Sequence, residues 1–116
     1  MASDKNFLDF IMDHIGNAGI VTYRKMFGEY ALYCDNKVVA LICDNQLFVK
    51  PTEGGRKYIG AVVEAPPYPG AKMYLFIEDK IENSEWLSGL IKLTAQELPV
   101  LKPKPGKYRT RGKNNR

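Results

Sequence analysis

At 116 residues, 45% of them hydrophobic and 11% aromatic, the chain has enough apolar surface for one two-layer core and too little length for two. No apolar run approaches a membrane span, and Met1-Ala2-Ser3-Asp4-Lys5 lacks the basic-then-apolar pattern of a secretory leader, so the expected compartment is the cytoplasm and no membrane partner is expected. The net charge of +4 hides an asymmetry, because residues 1–101 hold 10 basic against 13 acidic groups, a net −3, while residues 102–116 carry seven basic groups and no acid.

Ser3 is placed to cap a first helix whose apolar residues Phe7, Phe10, Ile11, His14, Ile15 and Ala18 step by three and four, ending near Gly16 to Gly19. His14 sits on that stripe and reads as a hydrogen-bonded boundary histidine rather than a catalytic one. From Val21 the period becomes two, with strands expected near 22–27, 30–35, 38–43 and 46–50 and tight turns at Asp35-Asn36 and Asp44-Asn45. Simple alternation puts Leu32, Cys34, Val39, Leu41 and Phe48 on one face and Ala31, Tyr33, Val38, Ala40, Ile42, Leu47 and Val49 on the other. Both faces are apolar, and one helical layer covers one face. The second is expected to be capped by loops, by tyrosine bodies or by another subunit, which predicts a homodimer. In that register Cys34 lies opposite Val39 and Cys43 lies roughly 13 Å along the same face at about 3.3 Å per residue, too far for a disulfide. Two buried thiols are expected, and His14 alone supplies no metal set.

Thr52 through Gly60 reads as a short helix started by Thr52 and Glu53 and held by Tyr58 and Ile59; its Gly54-Gly55 pair lacks the spacing of a phosphate loop. Ala65-Pro66-Pro67-Tyr68-Pro69-Gly70 reads as a stiff connector inside the domain rather than as a polyproline-type ligand, and Lys72 to Glu78 alternates as a further strand with Met73, Leu75 and Ile77 on one side. Asn83 caps a last helix through Glu97 with the stripe Trp86, Leu87, Leu90, Ile91, Thr94 and Leu98, and Pro99 ends it. This order implies an α+β domain of two layers, an antiparallel β-meander with helices mainly on one face. Met26, Phe27, Leu32, Leu41, Leu75, Trp86, Leu90 and Ile91 are the expected core.

The chemistry of catalysis is not legible in this chain. One histidine, no HExxH and no P-loop leave no catalytic, cofactor or metal set to assign, and the neighbours Glu78-Asp79 and Glu82/Glu85 suit a solvated strand end and helix start. The basic run Lys102, Lys104, Lys107, Arg109, Arg111, Lys113 and Arg116 is expected to be a disordered tail, with Pro103 and Pro105 keeping its start extended. Cations at every second or third residue, with Tyr108 among them, can track a phosphate backbone without reading bases, so nucleic acid is an expected partner of the tail. The bland reading of the same run is a solubilising terminus. Arg24, with Lys25 beside it, reads either as a carboxylate or phosphate clamp or as an arginine tying the sheet to an acid of the helical layer.

Arg24, Met26, Phe27, Gly28, Tyr30, Leu32, Tyr33, Asp35, Leu47, Phe48 and Lys50 form an Arg-x-Met-Phe-Gly strand, a Tyr-x-Leu-Tyr strand, an Asp-led turn and a Leu-aromatic-aliphatic-Lys strand. The pattern resembles the TfoX N-terminal domain family, most clearly here and more loosely from about Asn6 to Leu98. The resemblance implies a secretion-chaperone-like α+β architecture over residues 1–101, a small bacterial cytoplasmic protein linked to DNA uptake and transformation, and no reaction. Glu29 and Ala31 stand where the family usually has glycine, and Asn36 where its turn commonly has Gly, which disfavours any ligand needing bare backbone at Glu29. Longer members carry a C-terminal domain that this sequence does not show. Two functions remain: a regulatory module of the TfoX type acting through protein partners with help from nucleic acid, and a chaperone-like or adaptor homodimer with no link to DNA.

Overall fold

The computed structural model describes residues 3–26 and 29–99. Asp4, in extended backbone at φ −77° and ψ 133°, caps the first helix, α1 (Lys5–Ile15), by accepting the Asn6 amide at 3.0 Å. The cap expected at Ser3 is thus one residue later, because the Ser3 hydroxyl is taken elsewhere: it donates to the Glu29 carboxylate and accepts the Asn45 amide at 3.1 Å. Leu8, Ile11 and Ile15 form the buried stripe of α1, with Phe7 and Phe10 half-buried beside it. His14 Nδ1 donates to the Phe10 carbonyl at 2.8 Å and its ring lies on that of Phe10, as expected of a boundary histidine.

Four strands follow, β1 (Val21–Met26), β2 (Glu29–Cys34), β3 (Lys37–Cys43) and β4 (Gln46–Val49). The two expected turns are tight: φ is 52° and 67° at Asp35 and Asn36, and 53° and 57° at Asp44 and Asn45. Positive φ at both central residues gives the type I′ twist that suits neighbouring antiparallel strands, and Asp and Asn tolerate it. Helix α2 (Glu53–Ile59) is capped by Thr52, whose hydroxyl accepts the Gly55 amide at 2.9 Å. The segment read as a connector begins with a short strand, β5 (Glu64–Ala65), which pairs with β6 (Tyr74–Ile77). Two residues before a proline pair are too few to leave a period in the sequence. Asn83 caps the last helix, α3 (Ser84–Glu97), accepting the Trp86 amide at 3.0 Å.

The sheet is antiparallel throughout in the order β1-β2-β3-β4-β6-β5. Helix α3 crosses β2 and β3, and α1 and α2 pack against α3. Ser84 and Ser88 donate to the His14 carbonyl at 3.0 and 2.8 Å, satisfying the end of α1, while the Lys37 ammonium donates to the Ala95 carbonyl at 2.8 Å near the end of α3. The fold is therefore α+β with the helices on one side, as the sequence implies.

Face assignment is where the sequence reading needs correction. The register runs Tyr30↔Ile42, Ala31↔Leu41 and Leu32↔Ala40, then shifts to Tyr33↔Val38 and Cys34↔Lys37. Val39 is the extra residue of a β-bulge, and beyond it β3 is turned over relative to simple alternation. The helix-covered face is consequently Tyr30, Leu32, Cys34, Ala40, Ile42, Leu47, Val49, Leu75 and Ile77, all buried. The helix-free face carries Ala31, Tyr33, Val38, Leu41, Cys43, Phe48 and Phe76. Cys34 and Cys43 are buried free thiols, as expected, but on opposite faces rather than one.

The core list changes accordingly. Leu32, Leu75, Leu90 and Ile91 are fully buried, whereas Leu41 is half-buried on the helix-free face, Trp86 packs half-buried at the margin and Met26 is 42% exposed. Met26 loses its place because it lies at the end of an edge strand. Phe27 lies outside the described residues. Leu8, Ile42, Leu47 and Leu87 fill the core instead.

Candidate functional site

The bulge decides what the helix-free face offers. One rung runs Arg24, Ala31, Leu41, Phe48 and Phe76 across five strands. Phe48 and Phe76 have ring centroids 5.4 Å apart, and Phe48 is only 3% exposed although no helix covers it. The segment 66–69 between β5 and β6 folds over this face; Pro67 is buried and Tyr68 stands 56% exposed beside it. Between that wall and the strands lies an open groove of about 650 Å³, with Met26, Leu41 and Phe48 on the sheet side and Glu29, Asp44 and Gln46 at one end. The groove combines a mostly apolar lining with a few polar groups, as ligand and partner sites do.

Its polar end is built by the turn between β3 and β4. The Glu29 carboxylate accepts the Asp44 amide at 3.2 Å and the Ser3 hydroxyl, and the Asp4 amide donates to the Asn45 side chain at 2.7 Å. Glu29, in a position where glycine is usual in the family pattern, thus joins the start of α1 to the β3–β4 hairpin. Burial, reinforced by the Glu29 carboxylate, pushes the Cys43 thiol up to about 11. Burial raises Tyr74 as well, with Tyr68 and Cys43 contributing. A thiol held protonated is a poor nucleophile. These groups therefore suit recognition better than covalent chemistry.

A second, smaller hollow of about 200 Å³ lies near Ile59, Val63, Phe76 and Trp86. Tyr58 stacks on Trp86 at 5.6 Å and donates to its carbonyl at 2.9 Å, while the Lys80 ammonium sits 5.3 Å over the Trp86 ring. The indole is thus already in contact with two of the domain's own side chains.

Of the residues expected to bind, Arg24 and Lys25 lie together on β1, both exposed. Arg24 faces the helix-free side, so it does not tie the sheet to an acid of the helical layer, and among the described residues neither cation forms a salt bridge. Lys102, Lys104, Lys107, Arg109, Arg111, Lys113 and Arg116 lie outside the described residues. Phe48, Pro67, Tyr68 and Glu29 escaped the sequence reading as site residues. The Pro-Pro-Tyr-Pro cluster was the available signal, since an aromatic set among prolines is a rigid contact surface as well as a connector.

The comparisons with known proteins agree with the strand motif. A family model for the TfoX N-terminal domain matches residues 13–98. The chain belongs to the TfoX N-terminal domain family. Its relatives include the "Uncharacterized 12.7 kDa protein in trpE 5'region" of Spirochaeta aurantia, 41% identical over 112 residues and covering 97% of each chain. Protein Sxy of Escherichia coli (strain K12) is 31% identical over 55 residues, which are 47% of this chain and 25% of Sxy. The TfoX-type match spans β1 to α3 and so contains the whole groove. Among the described residues no helix is long and apolar enough to cross a membrane, and no group of three or more His, Cys, Asp and Glu is arranged to hold a metal ion.

Proposed function

We propose that this TfoX N-terminal domain is a non-enzymatic regulatory binding module of the cytoplasm that acts in transcription or competence control through protein contacts at its helix-free sheet face. The observation that carries the reading is the groove between the sheet and the Pro66–Pro69 wall. It is lined mainly by Met26, Leu41, Phe48 and Pro67, with the acidic residues Glu29 and Asp44 also in its lining. That lining suits a partner segment with apolar side chains and a cation directed at the acidic end. Family membership supports the regulatory assignment, since the resemblance ties TfoX-type domains to DNA uptake and transformation.

The test is capture of partners from the native host by the full chain and by Met26→Glu. Met26 is exposed, so the charge enters the groove without entering the core. Loss of specific partners with an unchanged urea midpoint supports the reading; an identical set of captured partners sinks it.

A chaperone-like or adaptor homodimer is the second reading, and the half-buried Tyr33, Val38 and Leu41 on the same face favour it. Less apolar surface is left for self-association than side-chain alternation suggests, because Ile42 is covered by the helices and the 66–69 segment covers part of the other face. Light scattering at micromolar protein separates the two readings. A dimer dissociated by Met26→Glu assigns the groove to self-association.

A further inference from the structure

The two edges of the sheet differ. At one end β5 contributes two residues and leads directly into Pro66 and Pro67, so little backbone is left unpaired there. At the other end β1 has six residues, pairs among the described residues only with β2, and is exposed from Thr22 through Met26. The Asp35 amide donates to the Ile20 carbonyl at 2.9 Å. Residues of an antiparallel strand alternate between bonding their neighbour and facing away. Counting along the register from Ile20, Thr22, Arg24 and Met26 exchange hydrogen bonds with β2, while Val21, Tyr23 and Lys25 direct their amides and carbonyls outward.

Two adjacent side chains of that open edge, Arg24 and Lys25, are cationic. Arg24 stands on the helix-free face and Lys25 on the other, adjacent in sequence, and neither has an acidic partner among the described residues. A strand added beside β1 would meet one cation on each face.

We propose that the outer edge of β1 docks an extended acidic segment of a partner protein as a seventh strand. This rests on the reading of the domain as a protein-binding module, but uses a surface separate from the body of the groove. Backbone pairing at Tyr23 and Lys25 holds the segment, and side chains select it. In an antiparallel arrangement the selected pattern is two consecutive acids, opposite Lys25 and Arg24, followed by a β-branched or aromatic residue beside Tyr23. A second copy of β1 is a poor occupant, because self-pairing brings two Arg24-Lys25 pairs onto neighbouring rungs, where like charges repel. A phosphate backbone would satisfy the cations but leave the outward amides and carbonyls without the regular strand partners they are spaced for.

The experiment follows backbone amide exchange in the full chain with a probe peptide acetyl-Val-Glu-Glu-Val-Thr-Val-amide, and with the same peptide carrying Lys-Lys for Glu-Glu. The expected result is slowed exchange at Tyr23 and Lys25 with the acidic peptide, no change at Arg24, which is already bonded to Ala31, and no protection by the basic peptide. In Arg24→Glu/Lys25→Glu the preference should invert, with the acidic peptide weakened roughly tenfold, as two exposed ion pairs turned to repulsion would give. Both positions are exposed, and an unchanged urea midpoint checks that the variant folds. The proposal is overturned by absence of protection at Tyr23 and Lys25, by equal protection from both peptides, or by a duplex oligonucleotide protecting the same amides in place of the peptide. If the peptide fails while Met26→Glu still loses captured partners, the edge proposal falls and the binding-module reading stands.

Discussion

At the end of β3 the Cys43 side chain is buried at 6% exposure, close enough to Glu29 for the carboxylate to reinforce the raising effect of burial on its thiol. With a folded pKa of about 11 against an ordinary 9.0, the folded state holds the proton more tightly than the unfolded chain. The associated stability is fully present below the ordinary value and is lost as pH rises through the folded one. The urea midpoint of the wild type should therefore fall more steeply between about pH 9 and 11 than that of Cys43→Ala, and iodoacetamide near neutral pH should label both thiols slowly until urea unfolds the chain. Burial also sorts the apolar residues that sequence alone treats alike. Leu90→Ala should cost about 2–5 kcal/mol in urea denaturation, while Met26→Ala should stay within about 0.5 kcal/mol. A comparable loss at both positions would contradict the corrected core.

Among the elements, the hairpins show how local chemistry sets a turn and a distant constraint sets a face. Asn36 holds φ at 67° in the β2–β3 turn. Replacing it by Ala, which has no side-chain group to favour the left-handed region, should cost about 1–2 kcal/mol, read as a lower urea midpoint with an unchanged m-value. The Asp-Asn pairs were legible because that conformation restricts residue type. The bulge at Val39 was not, since Val38, Val39 and Ala40 are all apolar and give no phase from which to count. Helix α3 was legible from its cap, its stripe and Pro99. The part it plays, crossing β2 and β3 and contacting both α1 and α2, depends on packing among segments far apart in the chain.

For the whole molecule, charge and core separate along the chain. Among the described residues every fully buried side chain lies between Leu8 and Thr94, whereas the seven basic groups of residues 102–116 follow that core. A chain ending at Leu101 is therefore expected to keep its urea midpoint. If the basic run contacts phosphates, the full chain should bind duplex DNA weakly and without sequence preference, with a log-log salt slope of roughly −3 to −6, at about −0.9 per phosphate neutralised. The shortened chain, with a net −3, should lose most of that binding in a gel shift. Equal binding by the two would move the contact to Arg24 and Lys25.

The sequence by itself determined the family, the α+β class, the order of the elements apart from β5, the two tight turns and the caps at Thr52 and Asn83. Each depends on residues a few positions apart, through side-chain period, backbone preference or a local hydrogen bond. Tertiary structure alone decided that Arg24 turns away from the helices, that Ile42 rather than Leu41 enters the core, and that the 66–69 segment walls a groove on the other face. These outcomes depend on one inserted residue at Val39 and on contacts between β4, β6 and the proline segment, and side-chain alternation along a single strand carries no information about either.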